Sequence, residues 1–509
     1  MPKDLGPSLL DNISKKIAQL PGSRTLTASV IVSQPRKSPA SVFPYAPSVH
    51  DAEVYIQDIL ALVAEDVHTN KNDPGKKGEA SESETPASGP VYVSAVELVL
   101  YTLPRTSSAI IYVSKVDSTG QGKRPSPTKA LVVALLEHLT SRWFGENVGN
   151  GEDETEGNGW NIWIHLFARA QNQYLFPASI EFSGKQVLSD VGLVKWWKGV
   201  LDQFTDTISI SSPAQASFSR VLRYVTVPGL TPLEVNQILP KRPSDPSSSE
   251  WVIGNPYSNT SIMFPMDVTP PCSISQLIPY FPDDPKARLI DEIANTTSRA
   301  SATVIDEPRR KKRKLNREEK TTGADERGTE EHGETSEAAE TSLDFVQTVS
   351  AEEFWERMDG RQECRLSTVA FFVVCVDRQS APLRNPVPSR NESSSPAKRV
   401  EVAPGMVKKI ATMLDSADFG TIERSMRSTA VVQDAIKALA GGSLEIRTAG
   451  PEEGTPAAHN SSEGALLEAF ITRCIQVNNP EPAPKVEVVT PPPVVTVLTA
   501  RKKKKPTST

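Results

Sequence analysis

Long polar stretches interrupt the apolar, β-rich segments of this chain, and they constrain what it can fold into. The longest covers residues 302–342, which contains the basic run RRKKRKLNR and then the acidic EEHGETSEAAE. Stretches of this composition bury too little apolar surface to offset lost conformational freedom, so we expect them to be disordered. Shorter polar stretches cover 69–89 and 380–402. Because β-rich segments lie on both sides of each stretch, we expect one domain with inserts.

The apolar segments are predicted to form strands of one sheet. Residues 90–103 and 108–117 are typical of buried strands, and the Pro-Arg pair between them predicts a hairpin. Residues 25–34 and the run CRLSTVAFFVVCV, beyond the long insert, are β-rich as well. Two further runs, EVYIQDILALVAE and WNIWIHLFARA, fit a strand or a helix, because periodicity does not separate the two in short apolar runs.

Capping signals predict where several helices begin. Ser126 suits an N-cap and Pro127 the first helical position, Ser189 is expected to cap a second helix, and Ser350 with Glu353 forms a capping box. The predicted helices cover 126–144, 189–204, 350–358, 405–414, 429–440 and 463–475.

Together these elements predict an α/β fold in which helices wrap a mixed central sheet, with long disordered inserts in one domain. The predicted limits are 1–300 for the first part of the domain, 301–345 for the insert, 346–480 for the second part and 481–509 for a Pro-rich tail.

Composition excludes several classes of function. A formal charge of −6 and a pI near 5.8 argue against a protein that binds nucleic acid through a generally basic surface, and we expect no sequence-specific nucleic-acid binding. The run VAFFVVCV is too short to span a membrane, so no membrane association is expected. The six histidines show no metal-ligand spacing, so no metal is predicted. The four cysteines form no C-x-x-C pair, which is typical of a reducing compartment.

Two basic runs, RRKKRKLNR and the tail sequence RKKKKP, lie in stretches that we expect to be exposed. The N-terminus lacks the pattern of a signal peptide. The basic runs therefore predict import into the nucleus, although each can also be a solvated charge run.

The segment YVSKVDSTGQGKRPSPTK, 112–129, is predicted to be a strand, a Gly-containing loop and the start of a helix. Free N–H groups at a helix start can hold a phosphate, and here Thr128, Lys129 and Ala130 would supply them. The loop is not a nucleotide-binding Walker loop, because Asp117 stands where the first Gly should be. An ordinary loop remains the alternative.

The segment PDDPKAR places two cations where a helix start disfavours them. Asp284 is a natural N-cap with Pro285 at the first helical position. Lys286 and Arg288 then fall in the first turn, which favours acids such as Asp283. A capping role alone does not account for these cations.

Trp196 and Trp197 are adjacent on a predicted helix, so their side chains point about 100° apart. Both can belong to the core, or one can face a cleft while the other packs. Tyr174, in NQYLFP, is a phenol that needs a hydrogen-bond partner when buried, and near a cleft it could align a substrate amine.

Five motifs, in this order, resemble the fungal histone acetyltransferase family known as the regulator of Ty transposition. They are YVSKVDSTG, NQYLFP, KWW, FPDDPKAR and FWERMDGRQE, and the resemblance spans residues 20–380 with the basic tail. The resemblance implies a lysine acetyltransferase that uses acetyl-CoA to modify histone H3, in complex with histone H4 and stimulated by histone chaperones. It also implies roles in chromatin assembly, replication and the DNA damage response, and a fold similar to the CREB-binding-protein acetyltransferases.

The resemblance also implies the site residues. Trp197, Tyr174 and Asp117 would line the lysine channel, Asp284 corresponds to the proposed proton acceptor, and Lys286 corresponds to a buried lysine that becomes acetylated. The residues implied to contact CoA are Val116, Asp117, Ser118, Arg124, Pro125, Ser126, Pro127, Thr128, Phe167, Gln171, Gln186, Val187, Leu188 and Trp196.

Two CoA positions depart from the family pattern, since relatives can carry histidine where Gln186 stands and alanine where Gln171 stands. Acetylation of Lys286 would leave Arg288 to pair with Asp283 or Asp284.

No Cys or Ser is accompanied by a His partner, which favours direct attack of the lysine over an acyl-enzyme. The alternative class is a non-catalytic nuclear scaffold that binds histones or chaperones through its acidic inserts.

Overall fold

The structure is a computed structural model. It describes residues 8–46, 53–68, 88–141, 160–210, 220–239, 251–258, 262, 264–266, 273–295, 349–365, 369–377, 401–443 and 471–481. Most of the predicted inserts lie outside these residues, so their disorder and the domain limits stay predictions. At the insert edges, residues 88 and 89 belong to a strand, and Val402 is buried and bridges to Ser33.

One ten-stranded mixed sheet organises the described chain. Its strands are β1 (Gly22–Val32), β2 (Arg36–Lys37), β3 (Tyr55–His68), β4 (Ser88–Leu103), β5 (Ser108–Ser118), β6 (Asn161–Arg169), β7 (Arg220–Thr226), β8 (Trp251–Ile253), β9 (Val369–Asp377) and β10 (Thr472–Asn479). The spatial order is β10-β1-β3-β4-β5-β6-β9-β7-β8, with β2 paired to β3. The β5–β6 and β7–β8 pairs are parallel and the other pairs are antiparallel.

Helices cover both faces of this sheet. They are α1 (Leu9–Ile17), α2 (Thr128–Ser141), α3 (Asp190–Ile210), α4 (Pro232–Ile238), α5 (Ile274–Leu277), α6 (285–295), α7 (Ala351–Asp359), α8 (Gln362–Arg365), α9 (Pro404–Asp415) and α10 (Ile422–Ser443). No described helix has the length and apolar character needed to cross a membrane.

Strand β9 shows why both faces are covered. Its alternate side chains Phe372 and Val374 pack on one face with α1, α2 and α3, while Phe371 and Val373 pack on the other with α5, α6 and α7. A third cluster joins α9 and α10 to β3 and β4 on that second face. Strands buried on both faces read as continuous apolar runs, which explains the sequence VAFFVVCV.

The structure confirms the predicted α/β fold with its mixed sheet. Strand β9 follows the long insert in the chain yet lies between β6 and β7, so segments on both sides of the insert share one sheet. The β4–β5 hairpin is confirmed. The two ambiguous runs form β3 and β6.

Three local predictions need correction. Residues 472–475, predicted as helix, begin strand β10, which pairs with β1. Helix α2 starts at Thr128, and the carbonyl of Pro127 accepts the N–H of Leu131, so the cap falls one residue later than Ser126. At α7 only half of the capping box is present, because Ser350 accepts the N–H of Glu353, whose carboxylate pairs with Arg357.

Candidate active site

Asp117, near the end of β5, is a buried carboxylate saturated with hydrogen-bond donors. One oxygen, Oδ2, accepts the backbone N–H groups of Tyr174, Leu175 and Phe176 at 2.7, 2.9 and 3.1 Å. The other, Oδ1, accepts the N–H of Ser118 at 2.8 Å and the ammonium of Lys185 at 3.0 Å. A carboxylate offers about four lone-pair sites. Asp117 therefore anchors the 174–176 backbone, and its lone pairs are all in use.

Lys185 completes this anchor, although the sequence did not single it out. Its ammonium also contacts the hydroxyl of Ser179 at 2.5 Å. Burial lowers the pKa of Lys185, and the carboxylate of Asp117 acts in the opposite direction. The Lys185 backbone presses on Gly120, where an added Cβ would lie 2.6 Å from the Lys185 Cα and where φ is +74°. The chain near 185 is thus packed directly on the loop after β5.

That loop and the segment before α3 form an exposed shelf, defined here as Arg124–Ser126 together with Gln186–Leu188. The guanidinium of Arg124 donates to the Gln186 side chain at 3.1 Å and to the Gly184 carbonyl at 3.4 Å. Val187 and Leu188 are each 40% exposed, so the shelf offers apolar as well as cationic surface. The structure thereby brings together six of the predicted CoA residues.

The start of α2 lies beside this shelf. The hydroxyl of Thr128 hydrogen-bonds with Ser126 at 2.7 Å and with Ser94 at 2.6 Å, which fixes the first residue of the helix. A helix supplies no acceptors for its own first N–H groups, and those of Lys129 and Ala130 belong to this set. The shelf and the helix start together can bind an anion.

Asp284 and Lys286 form a second centre, at the start of α6. Asp284 Oδ1 accepts the backbone N–H of Lys286 at 2.9 Å, which confirms the predicted N-cap. The other oxygen, Oδ2, accepts a hydrogen bond from the Lys286 ammonium. Both side chains are buried, whereas Asp283 and Arg288 are exposed. Lys286 is buried, as expected, and its amine pairs with the cap of its own helix.

Aromatic rings surround the Lys286 ammonium. Its Nζ lies 4.8 Å from the ring centre of Phe371 and 5.7 Å from that of Phe167. Both distances are within the range of a cation–π contact. Asp283 does not contact the Lys286 ammonium and instead accepts a hydrogen bond from the hydroxyl of Ser114 on β5 at 2.7 Å.

A narrow pocket opens beside Lys286. Its walls include His165 on β6 and Trp355 on α7. Burial, and then the positive charge of Lys286, lower the pKa of His165 to about 3, so its imidazole is neutral. His165 Nε2 and Trp355 Nε1 are buried without a hydrogen-bond partner among the described residues. The pocket can therefore accept a small group that offers hydrogen-bonding atoms.

The two tryptophans occupy different environments on α3, whose predicted cap Ser189 accepts the N–H of Gly192 at 3.3 Å. Trp197 is only 4% exposed and packs in the core with α1 and α2, on the opposite sheet face from Lys286. Trp196 is half-buried, and the two rings meet edge to face at 4.8 Å. Trp196 is thus the more accessible of the pair.

The structure separates the predicted site residues into two groups. Asp117 and Tyr174 lie together, and the Tyr174 hydroxyl donates to the Arg169 carbonyl at 2.6 Å, while burial raises its pKa to about 12. Phe167 belongs instead with Lys286, and Gln171 is exposed beyond the end of β6. Val116 packs against the core and Ser118 contacts Asp117.

No set of three His, Cys, Asp or Glu side chains within the described ranges is placed to hold a metal ion.

Three residues of these centres were missed by sequence reasoning: Lys185, His165 and Trp355. His165 had one usable signal, because it is the only strongly polar side chain within the apolar run IWIHLF. Trp355 lies in the motif FWERMDGRQE but was given no role, and Lys185 was not predicted because its main partner Asp117 is 68 positions away.

A solved structure shares this fold. The crystal structure of Rtt109 from Aspergillus fumigatus aligns with a TM-score of 0.57 at 21% identity and covers 92% of this chain and 99% of that one. The architecture of a mixed sheet wrapped by helices is therefore that of the Rtt109 acetyltransferases.

Sequence comparisons give the family. The family described as "Histone acetyltransferase KAT11-type domain" matches residues 152–435, more than half of the chain, including Asp284 and Lys286 but not Asp117. Histone acetyltransferase rtt109 of Aspergillus flavus is 27% identical over 300 residues, 56% of this chain and 44% of that protein. Its counterpart in Schizosaccharomyces pombe is 30% identical over 214 residues, 41% of this chain and 49% of that protein.

The chain belongs to the KAT11-type histone acetyltransferase family, in its fungal Rtt109 branch. It spans about half the length of the curated relatives that it matches.

Proposed function

We propose that the protein transfers the acetyl group of acetyl-CoA to a lysine side chain of histone H3. The observation that carries this proposal is the buried Asp284–Lys286 pair at the edge of an aromatic pocket, within the range that matches the acetyltransferase family. A buried carboxylate beside a buried amine suits a reaction in which an ammonium must lose a proton before it attacks.

The shelf and the start of α2 would hold acetyl-CoA. Arg124 offers a cation to its phosphates, the free N–H groups of α2 offer donors, and Val187 and Leu188 offer apolar surface. Trp196 and Gln171 would extend the same surface, whereas Phe167 would lie at the Lys286 centre. Acetyl-CoA supplies the thioester that is broken in the reaction.

The lysine amine would attack the thioester carbonyl directly, and the CoA thiolate would leave and take up a proton. Asp284 would accept the proton of the attacking ammonium, directly or through water. Tyr174 would wall the lysine channel and lower the lysine pKa by excluding water, whereas the buried Trp197 would support Trp196 from the core. Asp117 would hold that wall in place through the 174–176 backbone.

The test is transfer of labelled acetyl groups from acetyl-CoA to complexes of histones H3 and H4, with and without a histone chaperone. The control substrate is the other core-histone dimer, which contains neither of these two histones. We expect label on H3, more of it with the chaperone, and little on the control dimer. Histone binding without acetyl-CoA binding or transfer would overturn the proposal and favour the scaffold.

We also propose that Lys286 is itself acetylated. A neutral acetyl-lysine is cheaper to bury than an ammonium. Its carbonyl oxygen would give Trp355 Nε1 and His165 Nε2 the partner that they lack. We expect mass spectrometry of the active protein to find one acetyl group on Lys286 and none on Lys198, an equally buried lysine paired with Asp202 at 2.7 Å. Equal occupancy at both lysines, or none at Lys286, would contradict the assignment.

Nuclear location is part of the proposal and rests on the basic runs in 302–342 and in the tail. Deleting 302–342 is expected to lower nuclear accumulation of the tagged protein, unless the tail suffices, and to leave histone acetylation by the purified protein nearly unchanged. Loss of thermal stability on deletion would show that the segment belongs to the folded core.

A further inference from the structure

Arg24, on β1, is a buried arginine whose side chain is directed at the loop after β5. Its Nη1 donates to the carbonyls of Lys123 and Pro125 at 2.9 and 3.0 Å, and its Nη2 donates to the carbonyl of Pro21 at 3.2 Å. The residue is 6% exposed. One guanidinium therefore holds the backbone immediately before and immediately after Arg124.

Glu65, on β3, holds the same loop as a hydrogen-bond acceptor, whereas Arg24 holds it as a donor. Its Oε2 accepts the N–H of Lys123 at 3.1 Å and lies 3.8 Å from Arg24 Nη1. Both side chains are only 1% exposed. Burial raises the pKa of Glu65, while the Lys123 N–H and the Arg24 charge oppose that rise. Loss of either partner would leave the other as an uncompensated buried charge.

The loop fits closely over this pair at Gly122. An added Cβ there would lie 2.4 Å from Glu65 Oε2 and 2.7 Å from Val93 Cγ1. Any side chain at position 122 would force the loop away from the pair. The absence of a side chain at Gly122 thus allows the loop to lie directly against the Arg24–Glu65 pair.

We infer that Arg24 and Glu65 are positioning residues that set the direction of Arg124 and of the shelf toward the phosphates of CoA. The inference rests on the proposed use of acetyl-CoA. Both residues act from beneath the loop, because Arg24 binds the backbone carbonyls of Lys123 and Pro125 and Glu65 accepts the N–H of Lys123. Their contribution is therefore specific to the part of the co-substrate that Arg124 would contact.

A buried ion pair can also serve stability alone, and one comparison separates the two roles. Acetyl-pantetheine carries the same thioester as acetyl-CoA but lacks the adenosine phosphates. A positioning role predicts that Arg24→Lys and Glu65→Gln raise the KM for acetyl-CoA with little change in kcat. Reaction with acetyl-pantetheine should be unaffected, whereas a purely structural role would lower both reactions together.

We expect Arg24→Lys to raise the KM for acetyl-CoA by about tenfold, since Lys cannot hold both carbonyls and a lost charged hydrogen bond is worth about 1.5 kcal/mol or more. Glu65→Gln keeps an acceptor for the Lys123 N–H and should have a smaller effect. The matched control is Arg223→Lys, which alters an arginine that is 2% exposed and bound to Asp202, on a strand near the opposite edge of the sheet from β1. It should lower the melting temperature without changing the KM.

A double-mutant cycle with Arg124→Ala sharpens the test. If Arg24 acts through Arg124, then Arg24→Lys should add little to the KM once Arg124 is gone. Additive effects, or an unchanged KM in stable Arg24→Lys and Glu65→Gln proteins, would overturn the positioning role. Failure of the unmodified protein to bind acetyl-CoA would instead overturn the proposed function, and calorimetric titration distinguishes these results.

Discussion

Asp117 and Asp284 are both buried carboxylates paired with a lysine, yet their surroundings differ. Asp117 accepts four backbone N–H groups besides the ammonium of Lys185. Asp284 accepts one backbone N–H and the ammonium of Lys286, and that lysine lines an aromatic pocket. The first carboxylate is held by the main chain, whereas the second depends on a side chain that chemistry can change.

The number of fixed donors is therefore a better guide to the role of a buried acid than its burial. A carboxylate whose lone pairs are taken by backbone N–H groups is fixed in position and has none left for a further donor. Such a group organises a loop. Acetylation of Lys286 would leave Asp284 with only its capping bond, and its second oxygen would be free to take a proton.

The largest expected effect comes from Asp117→Asn, which keeps the size of the side chain but turns an N–H donor toward other donors. Removing one partner of a buried, hydrogen-bonded ion pair costs about 3–5 kcal/mol, because the other charge stays buried. We expect urea unfolding to show a loss of this order and activity to fall with it. The control Asp283→Asn removes an exposed carboxylate and should change stability little.

If Asp117→Asn keeps wild-type stability but loses turnover, Asp117 is a catalytic group after all and the comparison between the two carboxylates fails. In that case the lysine-channel role implied by the family resemblance would be the better description.

Local signals predicted the middle of the sheet but not its edges, since β7 and β8 at one edge, β10 at the other and the short β2 were not predicted. Continuous apolar runs indicated β4, β5 and β9 because these strands are buried on both faces. Strand β10 pairs on only one side, with β1, and its sequence TRCIQVNN carries a weak apolar pattern. Pairing between residues more than 440 positions apart supplies the missing information, and no local signal contains it.

The two site centres also differed in how far local sequence could predict them. The Asp284 cap was predictable because capping is a contact between near neighbours in sequence. The saturation of Asp117 was not, because its donors come from 174–176 and from Lys185. Burial of Lys286 followed from the family resemblance, whereas its aromatic walls became visible only in the folded chain.

The second prediction concerns Asp284→Asn, which separates proton transfer from capping. Asn is as good an N-cap as Asp, so the loss of capping contributes little. General acid–base groups typically contribute at least about a hundredfold, so we expect turnover to fall by that order in an acetyl-transfer assay. Because the variant also leaves Lys286 without its anion, the double variant Asp284→Asn/Lys286→Gln should recover stability but not turnover.

Unchanged turnover at unchanged stability would reduce Asp284 to a helix cap. The proton would then have to leave through water or another group, and the distinction drawn between the two carboxylates would be one of structure alone.

The smallest expected effect tests the surroundings of Lys286 through His165. The pKa of His165 is lowered to about 3 in the folded protein, against 6.5 as its ordinary value, first by burial and then by the charge of Lys286. The folded state thus keeps a neutral imidazole while the unfolded chain takes up a proton below pH 6.5. The stability that this gives is present above pH 6.5 and is lost as the pH falls toward 3.

One proton taken up on unfolding changes stability by about 1.4 kcal/mol per pH unit. We expect urea unfolding to approach that slope between pH 5.5 and 4.5 in the wild type in excess of His165→Gln, which cannot titrate. Lys286→Gln should keep most of the slope, because burial is the larger cause. An equal slope in wild type and His165→Gln would mean that His165 is protonated in the folded protein. The pocket beside Asp284 would then be open to water, and the contrast with the closed, saturated site at Asp117 would be stronger than the buried imidazole indicates.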